Sequence, residues 1–378
     1  MVKTNDKELI RQFRRFLDDN MYDRVYAQIC GKINYCVNPW QTEEFVLNQL
    51  LLCTKKQNVI YKLLLLGHPM DYEDVCSAIG QRTVWLLTEL GIVQQEENTL
   101  HSDYSIVAFH DRYFVVDLPY YYSNCKKKMT DVYIGFDSYD LANFLPLHKG
   151  GRMLDLCSGS GIQGIMLASQ ADEVNCVEYN EKVVPYTIFN TVLNGVDENT
   201  TVYHGSVYGP VKDKTYDVIV SNPPFIPVPE DIDYPMCGDG SEDGLSIIRE
   251  IVTGFKSHLN DDGWAMVIGE CIGDRKTILL YDMLQEILDR DFDVKLMLHG
   301  RSDTMSKVES FAKMYADLND NDPECLREGR RKWHQMFKKL HAEYYYCFTL
   351  KVRKHVGTES RFELIHPDWE KTEVSLFH

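Results

Sequence analysis

The sequence predicts an α/β protein, with a doubly wound and mostly parallel sheet in its second half. Three observations point there. From Gly151 onward, short apolar runs alternate with amphipathic helical stretches, the pattern of strands covered by helices on both faces. The first run passes into a glycine turn, "DLCSGSGIQG". The first hundred or so residues instead carry apolar positions at three- and four-residue spacing, as in "DKELIRQFRRFLDDN" and "TEEFVLNQLLLCTKK", which reads as helix.

The chain has 378 residues, enough for two domains or for one large domain with additions. Hydrophobic residues make up 44% and aromatics 12%, so a sizeable core is available. No apolar stretch approaches the roughly 20 residues of a membrane span. The start "MVKTNDKELIRQFRR" lacks the apolar centre of a signal peptide, and a cytoplasmic protein is expected. The 11 cysteines are scattered without CxxC pairs or neighbouring His ligands. Free thiols are therefore expected, with no metal site and no disulfide framework. The net charge of −17 disfavours nucleic acid as a partner, because phosphates repel it. Two basic clusters, Lys126–Lys128 and Arg330–Lys332, read most simply as solvated faces.

In order, the helical start gives way near Asp71 to two short helices with a turn at Gly80. Strand-like runs follow, ending near Asp117. This is a winged-helix-like pattern. Its second helix, "RTVWLLTELG", holds one Arg among apolar and acidic residues. A helix that reads a DNA groove needs more donors than that, so docking or substrate positioning is the expected role. The expected boundaries are 1–130 for this domain and 131–378 for the α/β domain.

Five strands are expected at "RMLDLC", "EVNCVE", "TTVYHG", "YDVIVSN" and "GWAMVIGE". The helices between and after them are "IQGIMLASQ", "VVPYTIFNTVLNG", "DGLSIIREIVTGFKSHL" and "KTILLYDMLQEIL". Two more strands, "DVKLMLHG" and "AEYYYCFTLKVRK", bring the sheet to seven. A polar helical insertion at about 302–341 separates them. The run Tyr344–Tyr346 reads as strand core.

Gly159, Gly161 and Gly164 match G-x-G-x-x-G, and Glu178 ends the next strand. That combination fits a dinucleotide site. It equally fits any adenosine-containing ligand whose ribose needs a carboxylate. A nicotinamide enzyme would also need a second nucleotide site. Here the fourth strand ends instead in "SNPPF", Ser221 to Phe225. Two prolines forbid a helix start and donate no backbone hydrogen bond, so the stretch is costly unless something uses it.

Together "LDLCSGSG", Glu178 and "NPPF" resemble the class I S-adenosylmethionine-dependent methyltransferases that methylate amino groups. That group includes base methyltransferases of nucleic acids and glutamine methyltransferases of peptide release factors. "CGDGSEDGLSIIREIV" is similar to the Gly-rich Asp-Gly-Leu segment of the release-factor enzymes. The resemblance covers roughly Val132 to Arg353. It implies a Rossmann-like fold of seven strands with the last antiparallel, and S-adenosylmethionine as cofactor.

Carried onto this chain, it implies cofactor contacts from Asp155, Cys157, Ser158, Gly159, Gly161, Glu178, Tyr179, Ser206, Val207 and Asn222. Asn222, Pro223 and Phe225 would act on the acceptor: the Asn222 carboxamide oxygen and the Pro223 carbonyl hold the N–H bonds of a planar nitrogen. Phe225 offers a face for stacking and for a developing positive charge. Asp137, Tyr139, Pro224 and Glu270 are further candidates for the substrate. Two departures stand out. Cys157 replaces the glycine that usually opens the turn, and Ser206 stands where an acidic residue often lies near adenine. The acceptor is expected to be a small molecule, peptide or protein. A nucleic-acid base, a scaffold without catalysis and a dehydrogenase are the competing readings.

Overall fold

The computed structural model describes residues 2–33, 36–37, 41–125, 130–355 and 360–369. The cluster Lys126–Lys128 lies outside the described residues. The main sheet is built from β1 (Arg152–Leu156), β2 (Glu173–Glu178), β3 (Thr200–His204), β4 (Tyr216–Ser221), β5 (Leu259–Gly273), β6 (Phe292–Asp303), β7 (Tyr344–Lys354) and β8 (Phe362–Ile365). Its strand order is β3-β2-β1-β4-β5-β7-β6-β8. The helices of this half are α1 (Phe136–Asn143), α2 (Ile162–Leu167), α3 (Val184–Leu193), α4 (Ser246–His258), α5 (Leu279–Ile287), α6 (Thr304–Leu318) and α7 (Pro323–Lys339). Among the described residues no helix is long and apolar enough to cross a membrane.

By contacts the chain divides into two compact units, Met1–Phe144 with Ser158–Gly205, and Leu145–Cys157 with Ser206–His378. In the first unit, helices Lys7–Asp19, Tyr22–Ile29, Glu43–Leu50 and Lys55–Leu64 come first. Two short helices, Tyr72–Ile79 and Gln81–Glu89, then meet at Gly80, between strand Met70–Asp71 and the strands Gln94–Glu96 and Thr99–His101 with which it forms a small three-stranded sheet. This element order follows the winged-helix-like pattern of the sequence. Next is an antiparallel hairpin, Tyr104–Phe109 with Arg112–Asp117.

The hairpin's outer edge is satisfied in an unusual way. Asn190 and Asn194, one turn apart on α3, pair with its backbone as a strand would. Val115 N–H donates to Asn190 Oδ1 at 2.8 Å, and Asn190 Nδ2 donates back to the Val115 carbonyl at 3.1 Å. Tyr113 and Asn194 exchange the same pair of bonds, at 3.0 and 2.7 Å. Both asparagines are buried, so without these bonds each amide would cost free energy. Phe13 lies near Phe189, with ring centroids 6.5 Å apart and planes tilted by 56°, which puts the first helix on the same α3.

In the second unit, β4 runs parallel to β1 and to β5. Strand β7 is antiparallel to both β5 and β6, which makes it the antiparallel strand expected of the fold. The eighth strand, β8, pairs parallel to β6 beyond the seven that the sequence indicates. Tyr345 and Tyr346 are buried in β7, as strand core should be. The insertion leaves the sheet after Asp303 and returns at Tyr344, two residues that face each other in register. Tyr344 also faces Gly273 at the end of β5. Helices α6 and α7 therefore rise from the carboxyl end of β5, where ligands bind in parallel α/β sheets.

Those helices pack closely. A Cβ on Gly329 would lie 3.0 Å from the Ala312 Cα, so glycine is what lets α7 approach α6. The second basic cluster sits on α7 and its charges are engaged. Arg330 forms a two-point pair with Glu309, at 2.7 and 2.6 Å, and Lys332 lies 3.1 Å from Glu328.

Candidate active site

The first unit holds the glycine turn. Glu178 ends β2 with its carboxylate buried, and both oxygens accept backbone N–H bonds. Gly159 N–H reaches Oε2 at 2.8 Å, and Asn180 N–H reaches Oε1 at 2.7 Å. Burial raises the Glu178 pKa above its ordinary value, against the pull of those N–H donors. Each oxygen keeps a lone pair, so the carboxylate is aimed and can still accept two more bonds. A ribose diol offers two.

The turn itself is braced from α3. Thr187 Oγ1 donates to the Gly159 carbonyl at 2.8 Å, and Asn190 Nδ2 donates to the Ser160 carbonyl at 2.9 Å. Gly161 has φ +79°, and a Cβ there would meet Thr187 Cγ2 at 2.9 Å. Gly159 has φ +52°, and a Cβ there would meet nothing within 4 Å. One glycine is fixed by packing; the other faces open space. Next to it, the Ser158 hydroxyl is buried without a hydrogen-bond partner. These features fit the sugar and amino acid ends of S-adenosylmethionine, which carry neutral and zwitterionic polar groups. Tyr179 follows, 60% exposed. Asp137 is in the first turn of α1. Tyr139, on the same helix, is fully buried and stacked on Phe109 at 4.8 Å, a core position.

The second unit holds the other candidates. Asp155 is buried on β1, in register with Val220. Cys157 adopts φ +58°. It takes the left-handed conformation that suits glycine, and a side chain there costs about 1–2 kcal/mol. Ser206 is exposed and Val207 buried. Beyond β4, Ser221 Oγ donates to the Leu156 carbonyl at 2.8 Å and ties the strand ends together. The buried Asn222 Oδ1 follows, then Pro223 and Pro224.

Phe225 lies against β5. A Cβ on Gly269 would be 3.0 Å from its ring. The Gly-rich segment then pairs with the chain that leaves the loop. Ile226 N–H donates to the Gly238 carbonyl at 2.8 Å, Gly240 N–H to the Ile226 carbonyl at 2.9 Å and Val228 N–H to the Ser241 carbonyl at 2.9 Å. Gly244, φ +73°, packs so near the Phe225 carbonyl that a Cβ would come within 2.6 Å. The two motifs that the sequence shows separately are thus one built structure. Glu270, next on β5, pairs with Lys307 of α6 at 3.2 Å. Among the described residues no group of three or more His, Cys, Asp or Glu could hold a metal ion.

Residues 136–287 match the family model described as the methyltransferase small domain. This stretch resembles a methyltransferase small domain and makes up less than half of the chain. The chain is similar to the release factor glutamine methyltransferase of Geobacter sulfurreducens, at 36% identity over 139 residues, 34% of this chain and 48% of that protein. It is also similar to the ribosomal protein uL3 glutamine methyltransferase of Bradyrhizobium diazoefficiens. There the identity is 33% over 122 residues, 30% of this chain and 38% of that protein. The chain thus spans less than half the length of these curated relatives. Among solved structures, ribosomal protein L11 methylase from Lactobacillus delbrueckii subsp. bulgaricus aligns with a TM-score of 0.28 at 21% identity. That alignment covers 39% of this chain and 62% of the other.

Outside the matched residues 136–287 lie both the N-terminal helical region and helices α6 and α7. The residues that sequence reasoning missed are Thr187 and Asn190. Their signal was present: polar residues three apart on the buried face of an apolar helix, in "PYTIFNTVLNG".

Proposed function

We propose that the protein is an S-adenosylmethionine-dependent N-methyltransferase whose acceptor is a planar amide nitrogen, with glutamine in a protein as the favoured acceptor. The observation that carries this reading is the loop Asn222–Phe225, pinned by Ser221 at one end and laddered to the Gly-rich segment at the other. The printed activities of the relatives, glutamine methylation of release factors and of uL3, favour the amide.

S-adenosylmethionine supplies a methyl group on a sulfonium. Glu178 and the turn at Ser158–Gly161 are assigned to holding it, and Asp155, Cys157, Tyr179, Ser206 and Val207 are carried over from the resemblance as further assignments. Asn222 and Pro223 are assigned to the acceptor. An amide nitrogen is a poor nucleophile because its lone pair is delocalised. Two fixed acceptors on its N–H bonds turn the lone pair towards the methyl carbon and stabilise the positive charge that grows on nitrogen. Proline fixes the carbonyl at little entropic cost. The displaced proton leaves to water after transfer, so no strong base is required.

A small-molecule acceptor is the second reading, favoured by α6 and α7 standing at the carboxyl end of β5. The test is incubation with methyl-labelled S-adenosylmethionine and purified release factor or uL3, followed by hydrolysis and analysis for methylglutamine. Label in methylglutamine supports the proposal. Label only in small molecules of a dialysed-back extract replaces protein by the second reading, and cofactor binding without any transfer refutes both.

A further inference from the structure

Helix α7 does more than brace the sheet. Its residues 332, 333, 336 and 339 fall on one face at helical spacing, and that face meets both partners of the ladder beyond Phe225. Trp333, fully buried, donates its indole N–H to the Pro227 carbonyl at 2.8 Å. Lys332 donates to the Asp231 carbonyl at 3.1 Å, and Lys339 pairs with Glu242 at 2.8 Å. Around the indole lie Phe311, Tyr234 and Tyr315, with centroids 5.7, 6.1 and 6.3 Å away. With Val228, Ile232 and Tyr345 they form a separate apolar core. Satellite cores of this kind form beneath long loops.

The consequence is mechanical. The stretch Asn222–Phe225 is short and held at both ends. One hold is Ser221 on Leu156. The other is the ladder at Ile226 and Val228, which has no regular strand to extend it. Pro227 and Pro229 cannot donate to that ladder, and the Pro227 carbonyl accepts the Trp333 indole N–H.

We propose that Trp333 is a positioning residue for the acceptor-holding loop, through which the α6–α7 insertion fixes where Asn222 and Pro223 present their oxygens. This rests on the reading of Asn222 and Pro223 given above. It also makes the insertion a determinant of acceptor choice, because its inner face and the loop are one packed body.

The decisive replacement is benzothienylalanine at position 333, introduced by amber suppression. It keeps the shape of tryptophan and lacks the N–H, so packing survives and only the bond is lost. Trp333→Phe is the genetic counterpart. Expected for both are an S-adenosylmethionine Kd within twofold of wild type and amide exchange at Ile226 and Val228 faster by at least about tenfold. Where the acceptor is methylated, kcat falls roughly tenfold with little change in the cofactor's KM. Unchanged exchange in the benzothienylalanine protein overturns the proposal whatever the activity. Faster exchange with unchanged kcat also overturns it, since the loop would then be ordered for packing alone. A wild-type protein that transfers no methyl group fails the functional reading instead, and the exchange measurement still decides whether Trp333 orders the loop.

Discussion

Glu178→Gln is the sharpest probe of the cofactor site. The wild-type carboxylate has one lone pair on each oxygen engaged by a backbone N–H, at 2.8 and 2.7 Å. The other lone pairs are available to a ribose diol. Glutamine keeps the shape but removes the charge, and its amide nitrogen must face one of two N–H groups that need an acceptor. A hydrogen bond to a charged group is worth about 1.5–3 kcal/mol. Loss of one such bond weakens S-adenosylmethionine by roughly 10- to 150-fold at 1.4 kcal/mol per decade. Calorimetric titration measures this directly, with thermal unfolding of the free variant as the control for folding.

The pH dependence adds a signed test. Burial raises the Glu178 pKa above its ordinary 4.5, so folding favours the protonated carboxyl. Its contribution to stability is full below the ordinary value and is lost as pH rises through the folded value. Cofactor binding needs the opposite form. On acidification from neutral pH, affinity should therefore begin to fall before an ordinary carboxylate titrates, while the free protein gains from this group. The variant should lose both trends. A Kd unchanged by the substitution removes Glu178 from the cofactor site, whatever the pH behaviour.

Three further outcomes are expected. Asn222→Ala should lower turnover on the order of 100-fold, with cofactor affinity within about twofold; near wild-type turnover in a discontinuous methylation assay refutes its role. Gly159→Ala should still fold, because its Cβ enters open space and only the left-handed φ of +52° costs it about 1 kcal/mol, yet bind cofactor poorly. Gly161→Ala should cost about 2 kcal/mol in urea unfolding from the clash with Thr187, and equal effects of the two would contradict the open side of the turn. Cys157→Gly should stabilise the protein by about 0.5–1 kcal/mol. Relief of the left-handed strain at φ +58° outweighs the added freedom of the unfolded chain. A lower melting temperature would show that the thiol's packing matters more.

The motifs assigned to the candidate site were legible because their signals are local. A glycine turn needs glycines at fixed spacing, and a carboxylate at a strand end needs only the strand. Asn-Pro-Pro-Phe breaks every rule of a buried strand end within five residues. The Cys157 departure was visible too, but not that cysteine would take the glycine's conformation. Tyr139 illustrates the opposite case. Its place near the first strand suggested a contact with substrate, and only its stack on Phe109 shows a ring in the core.

By itself, then, the sequence determined the alternation of strands and helices, the glycine turn with Glu178, and the presence of the Asn-Pro-Pro-Phe loop. Each follows from periodicity or steric rules that act over a few residues. Only the tertiary structure decided that Thr187 and Asn190 brace the turn, that Gly238–Ser241 ladders with Ile226–Val228, and that Trp333 reaches Pro227 across 106 residues of chain. It also decided the eighth strand. These pairings join groups with no local signature. Their partners are chosen by which buried carbonyl or amide would otherwise go without a hydrogen bond, and burial exists only once the chain has folded.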